Sequence, residues 1–131
     1  MQSIIMAKKV YYLKTCDTSR RIIKELGSLL DGFEYQEIKS EPITARQLEK
    51  MRNLAGSYEA LFSRRAKKYH AMGLKNQALT EDDYKYYLLN DYTFLKRPVI
   101  MVDNDIFVGS GNKNLSQLKE TLQKKIAPND Q

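Results

Sequence analysis

The residue best suited to chemistry is the only cysteine of the 131-residue chain, Cys16. It follows the short apolar run Val10-Tyr11-Tyr12-Leu13, then Lys14 and Thr15, and it leads directly into a segment with helical periodicity. A thiol at a strand-to-helix junction lies among backbone N–H groups that lack intrahelical partners, at the positive end of the helix dipole. Both features favour thiolate over thiol, and only the thiolate is a good nucleophile. Lys14, Arg20 and Arg21 add positive charge nearby, and the hydroxyls of Thr18 and Ser19 are placed either to cap the helix or to hydrogen-bond the thiolate or a bound anion.

Spacing excludes two common uses of such a thiol. The residue six after Cys16 is Ile22, so there is no Cys-x5-Arg phosphatase loop, and Ser19 fills the second place of a Cys-x-x-Cys pair. With no second thiol in the chain, an oxidised Cys16 must be resolved by an outside thiol: glutathione, glutaredoxin or thioredoxin. One cysteine and one histidine, His70, leave no metal site of ordinary composition, and none is expected. His70 reads as a surface residue rather than a catalytic base. The run Arg64-Arg65-Ala66-Lys67-Lys68 reads as a solvated face. Tyr84, Tyr86, Tyr87 and Tyr92 are interleaved with acids rather than with a basic stripe, so they read as packing and not as a nucleic-acid surface.

An apolar share of 42% suits one folded domain spanning 1–131, and the net charge of +6 admits anionic partners without choosing among them. No apolar run approaches the roughly 20 residues of a membrane span, and the charge near the N-terminus follows its small apolar cluster, the reverse of a signal peptide. A cytoplasmic protein is expected.

The elements that must position Cys16 follow from periodicity. Val10–Leu13 is β-rich and too short for a helix. Ile22, Ile23, Leu26, Leu29 and Leu30 share one helix face over 18–30, which ends near Asp31-Gly32, and Phe33, Tyr35 and Ile38 alternate with polar residues as a second strand. The stretch from about 42 to 92 reads as a helical insertion. Thr44–Gln47 forms a capping box before Leu48 and Met51, a turn follows around Gly56, and short helical pieces cover 58–62 and 63–69. A second capping box at Thr80–Asp83 opens a helix that ends near Asn90. Two apolar runs, 99–102 and 106–108, joined by Asp103-Asn104-Asp105, predict a hairpin. Asn114 opens a last helix with Leu115, Leu118, Leu122 and Ile126, ended by Pro128 after a loose lead-in over 1–7 at the other terminus. This β-α-β, helical insert, β-β-α order predicts an α/β thioredoxin-like fold with a mixed sheet, in which the reactive thiol starts the first helix.

Three stretches then carry a family resemblance: Tyr11-Tyr12-Leu13-Lys14-Thr15-Cys16-Asp17-Thr18-Ser19-Arg20, Leu61-Phe62-Ser63-Arg64-Arg65 with Tyr69 and Gly73-Leu74, and Phe94-Leu95-Lys96-Arg97-Pro98-Val99-Ile100 with Val108-Gly109. Together they resemble the glutaredoxin-like arsenate reductase (ArsC) family, which also contains the Spx-type regulators. The resemblance runs from about Val10 to Leu122. It implies that Cys16 is the nucleophile, that Arg97 binds an oxyanion, and that Pro98 is a cis proline facing the cysteine. Arg65 matches an arginine of Spx-like members. The arginine of the arsenic-detoxifying enzymes falls at Ser63, so Arg64 or Arg65 would serve instead. Two departures follow from the same comparison: Tyr12 stands where those enzymes keep a histidine, and Gly109-Ser110-Gly111-Asn112 lacks their late arginine, with Lys113 the nearest cation. The resemblance implies a thiol-dependent oxidoreductase acting on a small oxyanion or thiol substrate, with glutathione as cosubstrate, glutaredoxin or thioredoxin as partner, and no bound cofactor. The alternative is an Spx-like regulator that docks on RNA polymerase without catalysis.

Overall fold

The computed structural model describes residues 8–126, which sort into two compact units. One is discontinuous, running to Glu37 and resuming at Arg97; the other is Ile38–Lys96. Among the described residues no helix is long and apolar enough to cross a membrane.

The discontinuous unit is built on a four-stranded sheet. Strand β1 is Lys8–Tyr12 and β2 is Glu34–Glu37; Val99–Val102 and Asp105–Val108 are β3 and β4, and the order across the sheet is β2-β1-β3-β4. β1 runs parallel to β2, as a strand-helix-strand crossover requires, and antiparallel to β3, which turns back into β4. The central strand β3 is buried along its whole length, which explains its unbroken Val-Ile-Met-Val sequence. Helix α1, Asp17–Leu26, supplies Ile22 and Leu26 to the core. The C-terminal helix of this unit, Asn112–Ile126, supplies Leu118 and Leu122, and these pack with Val10, Ile100, Val102 and Phe107.

Ile38–Lys96 holds three α-helices: α2 (Ala45–Ala55), α3 (Lys67–Ala71) and α4 (Glu81–Asn90), which makes the C-terminal helix α5. Both expected capping boxes are present. Thr44 Oγ1 accepts from the Gln47 N–H at 3.0 Å while Gln47 Oε1 accepts from the Thr44 N–H at 3.0 Å, and Thr80 and Asp83 exchange the same pair at 3.2 and 2.8 Å. Phe62 anchors the interior of this unit, stacked on Phe94 with ring centroids 5.0 Å apart and edge-on to Tyr84 at 4.9 Å. Tyr84 is therefore packing, as expected, but Tyr86 is exposed.

Five local features differ from expectation. The first helix does not run to Leu30. Gly27 adopts φ +51 and ends it, and Gly27–Leu30 continues as a 3-10 turn. In β2 the inward residue is Gln36, 1% exposed, while Tyr35 is 46% exposed; on the outermost strand Tyr35 leans edge-on against Tyr12. Residues 63–66 are not helical: Phe62 bridges to Leu95 and the Ser63 N–H donates to the Phe94 carbonyl at 2.7 Å, after which the chain turns through Arg64-Arg65 before α3 opens at Lys67. The last helix begins at Asn112. Asn114 lies within its first turn and its side-chain amide donates to the carbonyls of Val108 and Gly109 at 3.3 and 3.1 Å. The hairpin loop is two residues, Asp103-Asn104, since Asp105 already pairs with Val102. The lead-in over 1–7 and Pro128 lie outside the described residues.

Leu118→Ala, which empties a buried site against the sheet, should cost about 3 kcal/mol. Thr80→Ala, which removes a cap at the surface, should cost about 1 kcal/mol. Urea unfolding of the two variants separates these effects, and equal costs would contradict the packing described.

Candidate active site

The tip of β1 turns into α1 through a tight loop. The Cys16 N–H donates to the Leu13 carbonyl at 3.0 Å, the Arg20 N–H to the Cys16 carbonyl at 3.1 Å, and Cys16 occupies the N-cap position with extended backbone angles. No side chain caps this terminus, so its free N–H groups are available to the half-buried sulfur.

Antiparallel pairing brings the second component. Tyr11 faces Val99, so the residues before Val99 reach back alongside the end of β1 and its loop. Arg97 lies there, joined to Pro98 by a cis peptide bond, and Pro98 is buried. The Pro98 carbonyl accepts from the Gly109 N–H at 2.9 Å, which anchors this turn to the end of β4.

Three influences set the ionisation of Cys16. Burial pushes the thiol up. Against it act the backbone N–H and the hydroxyl of Ser19, then the guanidinium of Arg97 by hydrogen bonding and by charge, and the result is a thiol held below its ordinary value. Ser19 is fully buried, its Oγ is left without a hydrogen-bond partner, and it lies close enough to the Cys16 sulfur to favour the thiolate. Two roles are open to its hydroxyl, cap or thiolate partner, and no cap bond is made.

The other candidate residues have different surroundings. Thr18 is half-buried in the first turn of α1. Arg20 pairs with Asp17 on the exposed side of the helix. Lys14 is exposed, and its backbone N–H donates to Glu37 Oε2 at 2.9 Å, a contact for which the sequence carried no signal. Within the Ile38–Lys96 unit, Arg64 is engaged by Glu59 at 2.6 Å and by the Tyr84 hydroxyl at 3.0 Å, whereas Arg65 is exposed, with its backbone N–H on Ser63 Oγ at 3.3 Å. Among the described residues no group of three or more His, Cys, Asp or Glu is gathered to hold a metal ion.

Comparison with known proteins gives the family and the fold. The model of the ArsC family matches residues 11–118. No curated protein matches the chain in sequence. Solved structures with the same fold include an arsenate reductase from Vibrio cholerae, 14% identical with a TM-score of 0.71 over 88% of this chain and 97% of the other. An arsenate reductase (ArsC) related protein from Brucella melitensis is 19% identical, with a TM-score of 0.65 over 88% and 97%. A protein from Streptococcus mutans described as a possible arsenate reductase is 25% identical, with a TM-score of 0.66 over 86% and 99%.

The lowered Cys16 value predicts a pH dependence of stability. A group whose folded value is depressed binds its proton less tightly in the native state, so it adds stability that is complete above the unfolded thiol value and lost as pH falls through the folded one. Wild type should therefore gain stability relative to Cys16→Ser as pH rises from neutral into the alkaline range, measured by urea unfolding at a series of pH values. Parallel curves for the two proteins would contradict it.

Proposed function

The chain belongs to the ArsC family, and from that premise we propose that it is a thiol-dependent oxidoreductase in which Cys16 is the nucleophile and Arg97 binds the anionic part of the substrate. The observation that carries this reading is the half-buried thiol held below its ordinary value by Ser19 and Arg97 at the start of a helix. Supporting it, a guanidinium offers two parallel N–H donors to a tetrahedral oxyanion or a carboxylate.

The chemistry proceeds as a series of displacements at Cys16 and its bonding partners. The Cys16 thiolate attacks an electron-poor centre, either the central atom of a small oxyanion, with loss of an oxygen as water, or the sulfur of a disulfide, with loss of the other sulfur as thiolate. In the oxyanion case, an external thiolate then attacks the Cys16 sulfur. That bond's electron pair passes to the substrate atom, which leaves reduced by two electrons, and Cys16 remains in a mixed disulfide. A second external thiol attacks the external partner's sulfur, releases Cys16 as thiolate and carries away the oxidation as a new disulfide. Glutathione, with glutaredoxin or thioredoxin, supplies these thiols in this reading, because the chain has no second cysteine. Ser19 and Arg97 act by stabilising Cys16 as thiolate whenever it attacks or leaves.

Turnover of arsenate and of a glutathione mixed disulfide, each with glutathione plus glutaredoxin and with thioredoxin, tests the proposal. Activity should vanish in Cys16→Ser and fall by roughly a hundredfold in Arg97→Ala, the size of a lost anion donor. Turnover that survives Cys16→Ser, or its absence with every substrate and thiol system, would overturn it.

A further inference from the structure

The loop that carries Cys16 needs something to hold it. Leu13-Lys14-Thr15-Cys16 is a four-residue turn closed by the Cys16 N–H on the Leu13 carbonyl. The N–H of its second residue, Lys14, points away from that bond and takes no part in closing it, so it requires an acceptor from outside the turn. That acceptor is the carboxylate of Glu37, at 2.9 Å. Parallel pairing accounts for the meeting: Glu37 is the last residue of β2 and lies in register with Tyr12, the last residue of β1, so its side chain reaches the loop that β1 feeds. An ionised acceptor on a backbone N–H makes a bond roughly twice as strong as a neutral one.

Resting on the oxidoreductase reading of Cys16, we propose that Glu37 is a positioning residue of this site: its carboxylate pins the Lys14 amide and so fixes where the β1–α1 loop presents the sulfur to Ser19 and Arg97. Glu37 acts through the backbone. The sulfur depends on groups from two separate stretches of chain, the first turn of α1 and the segment before β3, and a loop free to shift would lose its alignment with both at once. Displacements of about an ångström are enough to cost reactivity in such arrangements.

The test uses the full chain and two readouts: backbone amide exchange at Lys14 by NMR, and the rate of Cys16 alkylation by iodoacetamide as a function of pH. Glu37→Ala should speed Lys14 exchange and move the alkylation titration up by about one unit, so that the rate at neutral pH falls roughly tenfold. Glu37→Gln keeps an oxygen acceptor on a side chain of the same length and should restore most of both. Should Glu37→Ala fail to fold, Glu37→Asp, one methylene shorter, replaces it with the same expected direction. A Lys14 amide released while the Cys16 titration stays at the wild-type position overturns the proposal, as does Glu37→Gln as impaired as Glu37→Ala. A wild-type thiol that titrates at the ordinary value overturns the oxidoreductase reading and the positioning role with it. A lowered wild-type value left in place by Glu37→Ala overturns the positioning role alone.

Discussion

Everything at this site depends on one competition, between the burial that makes a thiolate costly and the two groups that make it favourable. Half-burial alone would push Cys16 toward an inert thiol. Ser19, in the first turn of α1, and Arg97, just before β3, reverse that direction. Burial also serves the chemistry, since each of these interactions is stronger where water is partly excluded. The fold can therefore be understood as the means of bringing Ser19 and Arg97 to one sulfur and keeping them there.

Antiparallel pairing of β1 with β3 is what makes this possible across a long stretch of chain. Lys8–Tyr11 aligns with Val99–Val102, so the residues on either side of this ladder, Cys16 beyond one strand and Arg97 before the other, emerge at the same end of the sheet. The ladder is secured by β3, buried throughout, and by Leu118 and Leu122 of α5 against the same core as Ile22 and Leu26 of α1. The Gly109 N–H on the Pro98 carbonyl and the Asn114 amide on the end of β4 tie the Arg97 side of the site to the start of α5. The intervening Ile38–Lys96 segment folds around its own aromatic centre at Phe62, which lets it lie in the chain between the two halves of the sheet unit without contributing a strand to it.

Much of this was legible in the residues, for a physical reason: features encoded within one turn of chain can be read locally. The boxes at Thr44 and Thr80, the strand-to-helix junction at Cys16 and the amphipathic faces of α1 and α5 are of that kind. What was not legible depends on partners distant in sequence. The helix expected over 63–69 is displaced by a bridge to Leu95, and β2 turns Gln36 rather than Tyr35 inward because its position at the sheet edge is a property of the whole topology. At the site, Cys16 announced itself, Ser19 was visible as one of two hydroxyls, and Arg97 came only through family resemblance. Glu37 sat unremarked in an edge strand, because its role exists only once two parallel strands end in register.

The most direct test of the central claim is the titration of Cys16 itself, followed by the ultraviolet absorbance of its thiolate in wild type, Ser19→Ala and Arg97→Ala. The competition described here predicts a wild-type midpoint below that of a free thiol, and midpoints that rise in each variant as a lowering group is removed and burial prevails. A wild-type midpoint at or above the free-thiol value, or one that neither substitution moves, would contradict it.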